Sequence, residues 1–453
     1  MKDYSKKVSL MSKSVINSQL ICSDYKKEYP SIVSGKGVFL YDSNGKEYID
    51  TSGCTAAVSS IGHGNVEIAE IMKQQAIKLA VYPTHLFYNE ELDLYLKDLC
   101  AFAPEGFNKA WTISGGTEAV ENSIKLAFQY HRSRDQRRSK VIGRWGSYHG
   151  NSILALDIGG MKARRGYYTD LMTNHIHVNA CHPYRKEPGM SDEDYEDMLI
   201  NELEQAIEEN KNEVMCFIAE PLVGSALGAV GPTANYFERV YKLCRANDIL
   251  VIADEVMTGF GRTGKSFGIN HYGDHVDIIA MAKGISSGYL PLGAITASDF
   301  VLDTIKGTGK PFFSGQTYSC IPLAAKVGHG VLNYIKEHKL VDNSAVVGNF
   351  LKEKLNLLKE EFSFVGDVRG EGLFLGIEFV KNQATKESFD PSMKFSKKVE
   401  AKCLENGLIT LGAQGSNGYT AGDHLLFAPP LTLSKEEASR IYEGLRISLQ
   451  SFS

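Results

Sequence analysis

The 453-residue chain has no C-x-x-C pair, no run of 18 apolar residues free of charge, and no excess of basic over acidic side chains. Each absence excludes something. The eight cysteines (Cys22, Cys54, Cys100, Cys181, Cys216, Cys244, Cys320 and Cys403) are scattered, so they read as reduced, packed thiols and not as a disulfide framework. No conventional membrane-spanning helix is expected. With 49 Lys plus Arg against 54 Asp plus Glu the formal charge is -5, so nucleic acid is not expected as a main partner. The first thirty residues lack the compact apolar core of a secretory signal, and a cytoplasmic location is expected. None of the 12 histidines sits in an H-E-x-x-H motif, so zinc hydrolysis is not expected and no metal is assigned.

What is present is an alternation. KAWTI, KVIGRW, EVMCFIAEP, DILVIADEV, VDIIAMA and LGAITAS are short, apolar and nearly free of charge, the pattern of strands buried on both faces. Helix-like stretches at 117–130, 192–209 and 235–247 lie between them. The fold class is therefore α/β, with a large doubly wound, mostly parallel sheet spanning about 60–325. Downstream the pattern changes to a long helical stretch near 320–360, then VRGEGLFLGIEFV, a helix over 394–405, HLLFAPPL, and a closing helix from Ser434. Residues 326–453 are thus expected to form a smaller α+β domain. The segment 1–59, with a hairpin turning at Asn44-Gly45, is expected to join it.

Two strands carry the chemistry. ILVIAD ends in the adjacent acids Asp254 and Glu255, and IIAMA ends in Lys283-Gly284. Ligands of open α/β sheets sit beyond the carboxyl ends of strands, where both groups emerge. A poorly hydrated lysine there loses basicity and becomes a nucleophile, which calls for a carbonyl partner such as pyridoxal phosphate (PLP). The PLP ring nitrogen needs an acid beside it, and Asp254 supplies one. Taken alone, these residues read as a helix start and a solvated lysine. ISGGTEAVENSIKLA adds a phosphate site: Gly115, Gly116 and Thr117 open an amphipathic helix whose free N–H groups face an anion. In GSYHGN, Tyr148 can lie on a planar ring and His149 can pack behind it.

The order SGGTEAVEN, SYHG, AEP, DEVMTGFGRTG, AKGISSGYLPLGA, QTYS, VRGEGLFLGIEF and APPL resembles the class III aminotransferases, a branch of the fold-type I PLP enzymes. The resemblance runs from about Gly37 to the C-terminus. It implies that Lys283 forms a Schiff base with PLP, that Asp254 pairs with the pyridinium nitrogen, and that Val256 and Tyr148 cover the two ring faces. It implies phosphate contacts from Gly116 and Thr117, completed by Thr317 of a partner subunit, hence a homodimer with sites at its interface. Glu220 is implied near the cofactor. Arg369 is implied to grip a substrate carboxylate, unless Asp367 or Glu371 holds it within the fold. Tyr82 and Phe87, in AVYPTHLFYNE, are implied to wall the substrate entrance.

Three departures bear on substrate. Glutamate-using relatives carry an acid where EPLVGSALG has Ser225, which leaves Arg369 open to a smaller acceptor such as pyruvate. The segment before Gly422-Asp423 has no mobile arginine, and Cys320-Ile321 replaces the commoner Gly-Asn. The resemblance implies a transaminase moving an amino group from an amine or ω-amino acid to a keto acid, pyruvate first. The alternative is a racemase, epimerase or aminomutase of the same family, with Tyr148 or His424 as a second acid. A PLP-binding protein without activity is not favoured, because Lys283, Asp254 and the phosphate loop are all intact.

Overall fold

The side chains of the strand Leu250–Asp254 divide between two cores. Leu250 and Ile252 share one with Ile124, Leu126 and Ala127 of the helix Gly116–Arg132. Val251 and Ala253 share the other with Phe237, Val240 and Cys244 of the helix Tyr236–Ala246. A strand apolar in both directions needs cover on both faces, which is why no charge interrupts the run before Asp254. The computed structural model describes Ile21 and residues 29–453; Cys22 and most of the N-terminal stretch read above lie outside the described residues.

Seven strands form this central sheet, in the order Lys109–Ile113, Gly293–Ala297, Ile278–Met281, Leu250–Asp254, Val214–Ala219, Lys140–Arg144, Ile176–Val178. The last five are mutually parallel. Gly293–Ala297 runs antiparallel to both its neighbours, so Lys109–Ile113 points the same way as the parallel five. One consequence matters for function. The carboxyl ends of Lys109–Ile113, Lys140–Arg144, Val214–Ala219, Leu250–Asp254 and Ile278–Met281 all emerge on one edge, and each is followed by a motif singled out in the sequence.

A second sheet, ordered Val365–Glu371, Phe374–Phe379, Ala421–Phe427, Leu411–Asn417, is wholly antiparallel. The helices Leu340–Glu361, Phe395–Glu405 and Lys435–Gln450 bury Leu351, Val399 and Leu445 in the adjoining core. The N-terminal strands Ile32–Lys36, Phe39–Asp42 and Glu47–Asp50 make a third sheet. Its far edge is Leu408–Ile409, which pairs in parallel with Glu47–Asp50. The turn between the second and third strands is held by Asp42, whose Oδ1 accepts from the Asn44 and Lys46 amides while Gly45 takes φ +80°. The long helical stretch expected over 320–360 is two helices, Pro322–Glu337 and Leu340–Glu361. Lys339 breaks it by adopting a left-handed conformation at φ +51°, which lets Leu340 turn into the core.

Candidate active site

A cavity lies at the shared carboxyl edge of the parallel strands. It is lined by Gly116, Thr117, Tyr148, His149, Gly150, Glu220, Leu222, Asp254, Val256, Met257, Thr258 and Lys283. Lys283, Asp254, Val256, Glu220, Tyr148, His149, Gly116 and Thr117 therefore meet in one place, though they span 168 positions of chain.

The two neighbouring acids have separate jobs. Asp254 faces the cavity, with Oδ2 2.7 Å from His149 Nδ1 and Oδ1 accepting from the Val256 amide at 3.1 Å. Glu255 turns the other way and is fully buried. It accepts from Thr258 Oγ1, the Gly268 amide and the Ile269 amide at 2.5, 2.8 and 2.7 Å, tying down the loop that follows the strand. Burial raises the Glu255 carboxyl to about 7 despite these donors. Glu220 is raised to about 7 by burial as well, and His149 opposes that shift. Its oxygens accept from the Tyr148 and Gly224 amides, so it fixes the aromatic wall of the cavity.

Lys283 opens a single helical turn, Lys283–Ile285, and has φ +50°. A side chain with a Cβ avoids that conformation, so the surroundings must hold it there. The loop 59–61 does so. Ser60 Oγ donates to the Gly284 carbonyl at 2.9 Å, and the Ser60 and Ile61 amides donate to Ser287 Oγ at 2.9 and 3.0 Å. Burial lowers the Lys283 ammonium to about 8, while Asp254 and Glu220 pull in the opposite direction. An amine of that basicity is substantially neutral near pH 8, which a lysine in water is not.

The helix Gly116–Arg132 begins at the cavity with Gly115 as its N-cap, and Gly115 itself does not line the space. A Cβ at Gly116 would stand 2.9 Å from Val256 Cγ1, so glycine lets the helix start approach. Gly150, at φ +132°, would place a Cβ 2.5 Å from Thr117 Oγ1, and that hydroxyl accepts from the Asn151 amide. Leu222, Met257, Thr258 and Gly150 escaped sequence reasoning. All four stood inside segments already quoted (EPLVGSALG, DEVMTGFGRTG and GSYHGN), and their positions there were the available signal.

Five other residues lie elsewhere. Arg369 does not line the cavity: Nε donates to Gly228 O at 2.8 Å, Nη2 to Leu227 O at 2.5 Å, and Nη1 to Glu378 Oε2 and Asp367 Oδ2 at 2.6 and 3.0 Å. Burial works against its charge, but the Glu378 and Asp367 carboxylates more than offset that and raise its pKa. Arg369 is therefore not open to a small acceptor in the way the serine at 225 led us to expect. The ion-pair reading was right about Asp367 and missed Glu378, which stands on the neighbouring strand; Glu371 lies by Lys352 instead. Thr317 and Phe87 are exposed and Tyr82 is half-buried, and none of the three lines the cavity of its own chain. His424 is buried with Nε2 against Ser225 O, and burial lowers it to about 4.

Asp50, Cys54 and His63 bring three potential metal-ligand atoms within 4.8 Å of one another. Asp50 is already taken up by the Cys54 and Ser52 amides and by His63. Burial, followed by the Asp50 charge, pushes the Cys54 thiol up to about 12, which disfavours the thiolate that a metal needs.

A lysine and an acid facing one cavity, beside a glycine-opened helix N-terminus, suit an aldehyde cofactor that carries a ring nitrogen and a phosphate. The fold and this donor set define a fold-type I PLP enzyme. The aminotransferase class-III family profile matches residues 23–449, and the chain belongs to that family. It is 34% identical to the diaminobutyrate–2-oxoglutarate transaminase of Halomonas elongata, over 90% of this chain and 88% of that protein. It is 30% identical to the putrescine–pyruvate aminotransferase of Pseudomonas aeruginosa, over 92% and 91%. The ω-transaminase of Pseudomonas jessenii, solved in complex with PMP, superposes with a TM-score of 0.90 at 28% identity, covering 98% of both chains. The chain is an aminotransferase, and its cofactor is PLP.

Proposed function

We propose that this aminotransferase moves an amino group from an amine or ω-amino acid to a keto acid, with pyruvate the preferred acceptor, and that Lys283 and Asp254 carry the chemistry. The convergence of those two side chains on one cavity is the observation that supports the reading most. Gly116, Thr117 and the helix N-terminus would hold the cofactor phosphate, Asp254 its ring nitrogen, and Val256 and Tyr148 its faces. When bound, PLP supplies an aldehyde for the amino group and a ring that spreads the charge left on the substrate carbon. Lys283 Nζ would take up the proton from the substrate carbon and later release it, which needs an amine that is neutral at working pH. The Asp254 carboxylate, held by His149 and the Val256 amide, faces the cavity where that ring nitrogen would lie.

The pyruvate preference rests on charge. Arg369 spends its donors inside the fold, so among the described residues the cavity wall offers no second cation for a dicarboxylate such as 2-oxoglutarate. The named relatives point both ways, one to 2-oxoglutarate and one to pyruvate. An amine donor panel run with each keto acid tests the choice. Alanine should accumulate with pyruvate at least tenfold faster than glutamate does with 2-oxoglutarate, and faster glutamate formation would reject the acceptor.

The enzyme is also proposed to work as a homodimer in the cytoplasm. Leu86, Phe87, Tyr88, Phe313 and Tyr318 are each at least 64% exposed, and exposed apolar side chains gathered on loops suit a protein contact. Thr317 sits between Phe313 and Tyr318, where a dimer contact would carry it to the other protomer's phosphate site. Among the described residues no helix is long and apolar enough to cross a membrane.

A pH prediction follows from Lys283. Its neutral form is the nucleophile, so the rate at which PLP reconstitutes the apo-protein should rise about tenfold per pH unit below 8 and level off above it. Stopped-flow absorbance over pH 6–9.5 measures this. A profile still climbing at pH 9.5 would mean an unshifted lysine.

A further inference from the structure

The commitment of Arg369 leaves a question of chemistry: a keto acid must present its carboxylate to some cation, and among the described residues the cavity wall offers none apart from Lys283. We infer that Arg164 is the residue that recognises the substrate carboxylate, an inference that rests on the activity proposed above. Arg164 lies in the sequence KARR, a short helix Lys162–Arg165 on the segment that follows the GSYHGN motif. Its guanidinium stands 5.1 Å from the centre of the Tyr148 ring, and Tyr148 forms a wall of the cavity. Arg164 is exposed, and among the described residues its side chain makes no hydrogen bond or ion pair; its backbone amide donates to Met161 O at 3.0 Å.

The two arginines of this helix divide labour as Asp254 and Glu255 do. Arg165 is the mount. Its Nη1 donates to the carbonyls of Leu156 and Gly159 at 2.9 and 3.0 Å and to that of Asp157, and Nη2 lies 3.7 Å from the buried Asp157 carboxylate. Asp157 in turn accepts from the Thr173 amide and hydroxyl, locking the base of the helix to the following chain. Arg164 projects from this fixed base with its fork unspent. A planar fork binds both oxygens of a carboxylate, and the contact of an exposed guanidinium with the half-buried Tyr148 ring is weak enough to yield to one. Lys162 on the same helix is less suited: it stands over Trp145 and Tyr419, and neither of these lines the cavity. One unspent arginine serves one carboxylate, which agrees with a monocarboxylate acceptor.

The test is Arg164→Gln in the holoenzyme, with Arg164→Lys beside it. For Arg164→Gln, the KM for pyruvate should rise at least tenfold with kcat nearly unchanged. The KM for a donor without a carboxylate, such as benzylamine, should stay within twofold, while that for β-alanine rises with pyruvate. Arg164→Lys should fall between, since it keeps the charge and loses the fork. Propionate binding measured by calorimetry should weaken by a similar factor. Equal changes for benzylamine and pyruvate, or no change for either, would overturn the inference and reduce Arg164 to packing on Tyr148. If the wild-type enzyme turned over no keto acid, the proposed activity would fail on its own, and propionate binding by the same proteins would still decide the role of Arg164.

Discussion

Lys283→Ala should lower the rate of amino transfer by about 10³-fold or more, the upper range for removing a positioned acid–base group. The loss is expected to be this large because, on the function proposed above, one side chain both holds the cofactor and moves the proton, and no other described amine lines the cavity. The backbone gives no reason for the variant to misfold. Position 283 already sits at φ +50°, and alanine meets that conformation at the same cost as lysine. Small primary amines added to the variant should restore part of the rate, since they supply a base to the vacated space. Circular dichroism and single-turnover absorbance measure fold and rate together. A folded variant retaining a tenth of the wild-type rate would remove Lys283 from the chemistry.

Asp254→Asn should cost about 10²- to 10³-fold in kcat, the range for deleting one preorganised electrostatic contact in a closed site. Asparagine keeps the shape and an oxygen for the Val256 amide, so the cavity should survive while the charge disappears. There is a second signature. The Asp254 carboxylate raises the basicity of Lys283 against the larger effect of burial. Its removal should therefore move the midpoint of the reconstitution profile below 8, whereas damage by misfolding would move it toward the value of a solvated lysine. A kcat within threefold of wild type would show that the carboxylate is a packing group for His149.

Much of this was legible because local signals agreed with the tertiary structure. The helix Asp192–Glu209 and the strand Lys109–Ile113 stand at the bounds read from the sequence, since periodicity, flanking charge and burial coincide there. The motifs that converge on the cavity could be placed because parallel strands deliver their carboxyl ends to a single edge. Three features were not legible, each for a physical reason. The division of work between Asp254 and Glu255 depends on which carboxylate meets the Gly268 and Ile269 amides, contacts that lie 13 and 14 positions away. The capture of Arg369 depends on register: Glu378 stands on the next strand, diagonal to Arg369, which directly faces Gly376. The left-handed backbone at Lys283 is imposed by Ser60, Ile61 and Ser287, and no propensity of lysine announces it.

The most direct measurement is borohydride reduction of the PLP-loaded enzyme followed by proteolysis and mass mapping. A phosphopyridoxyl group fixed on Lys283 alone, with loading abolished in Lys283→Ala, is the expected result. A label on another lysine of the fully loaded protein would contradict the account.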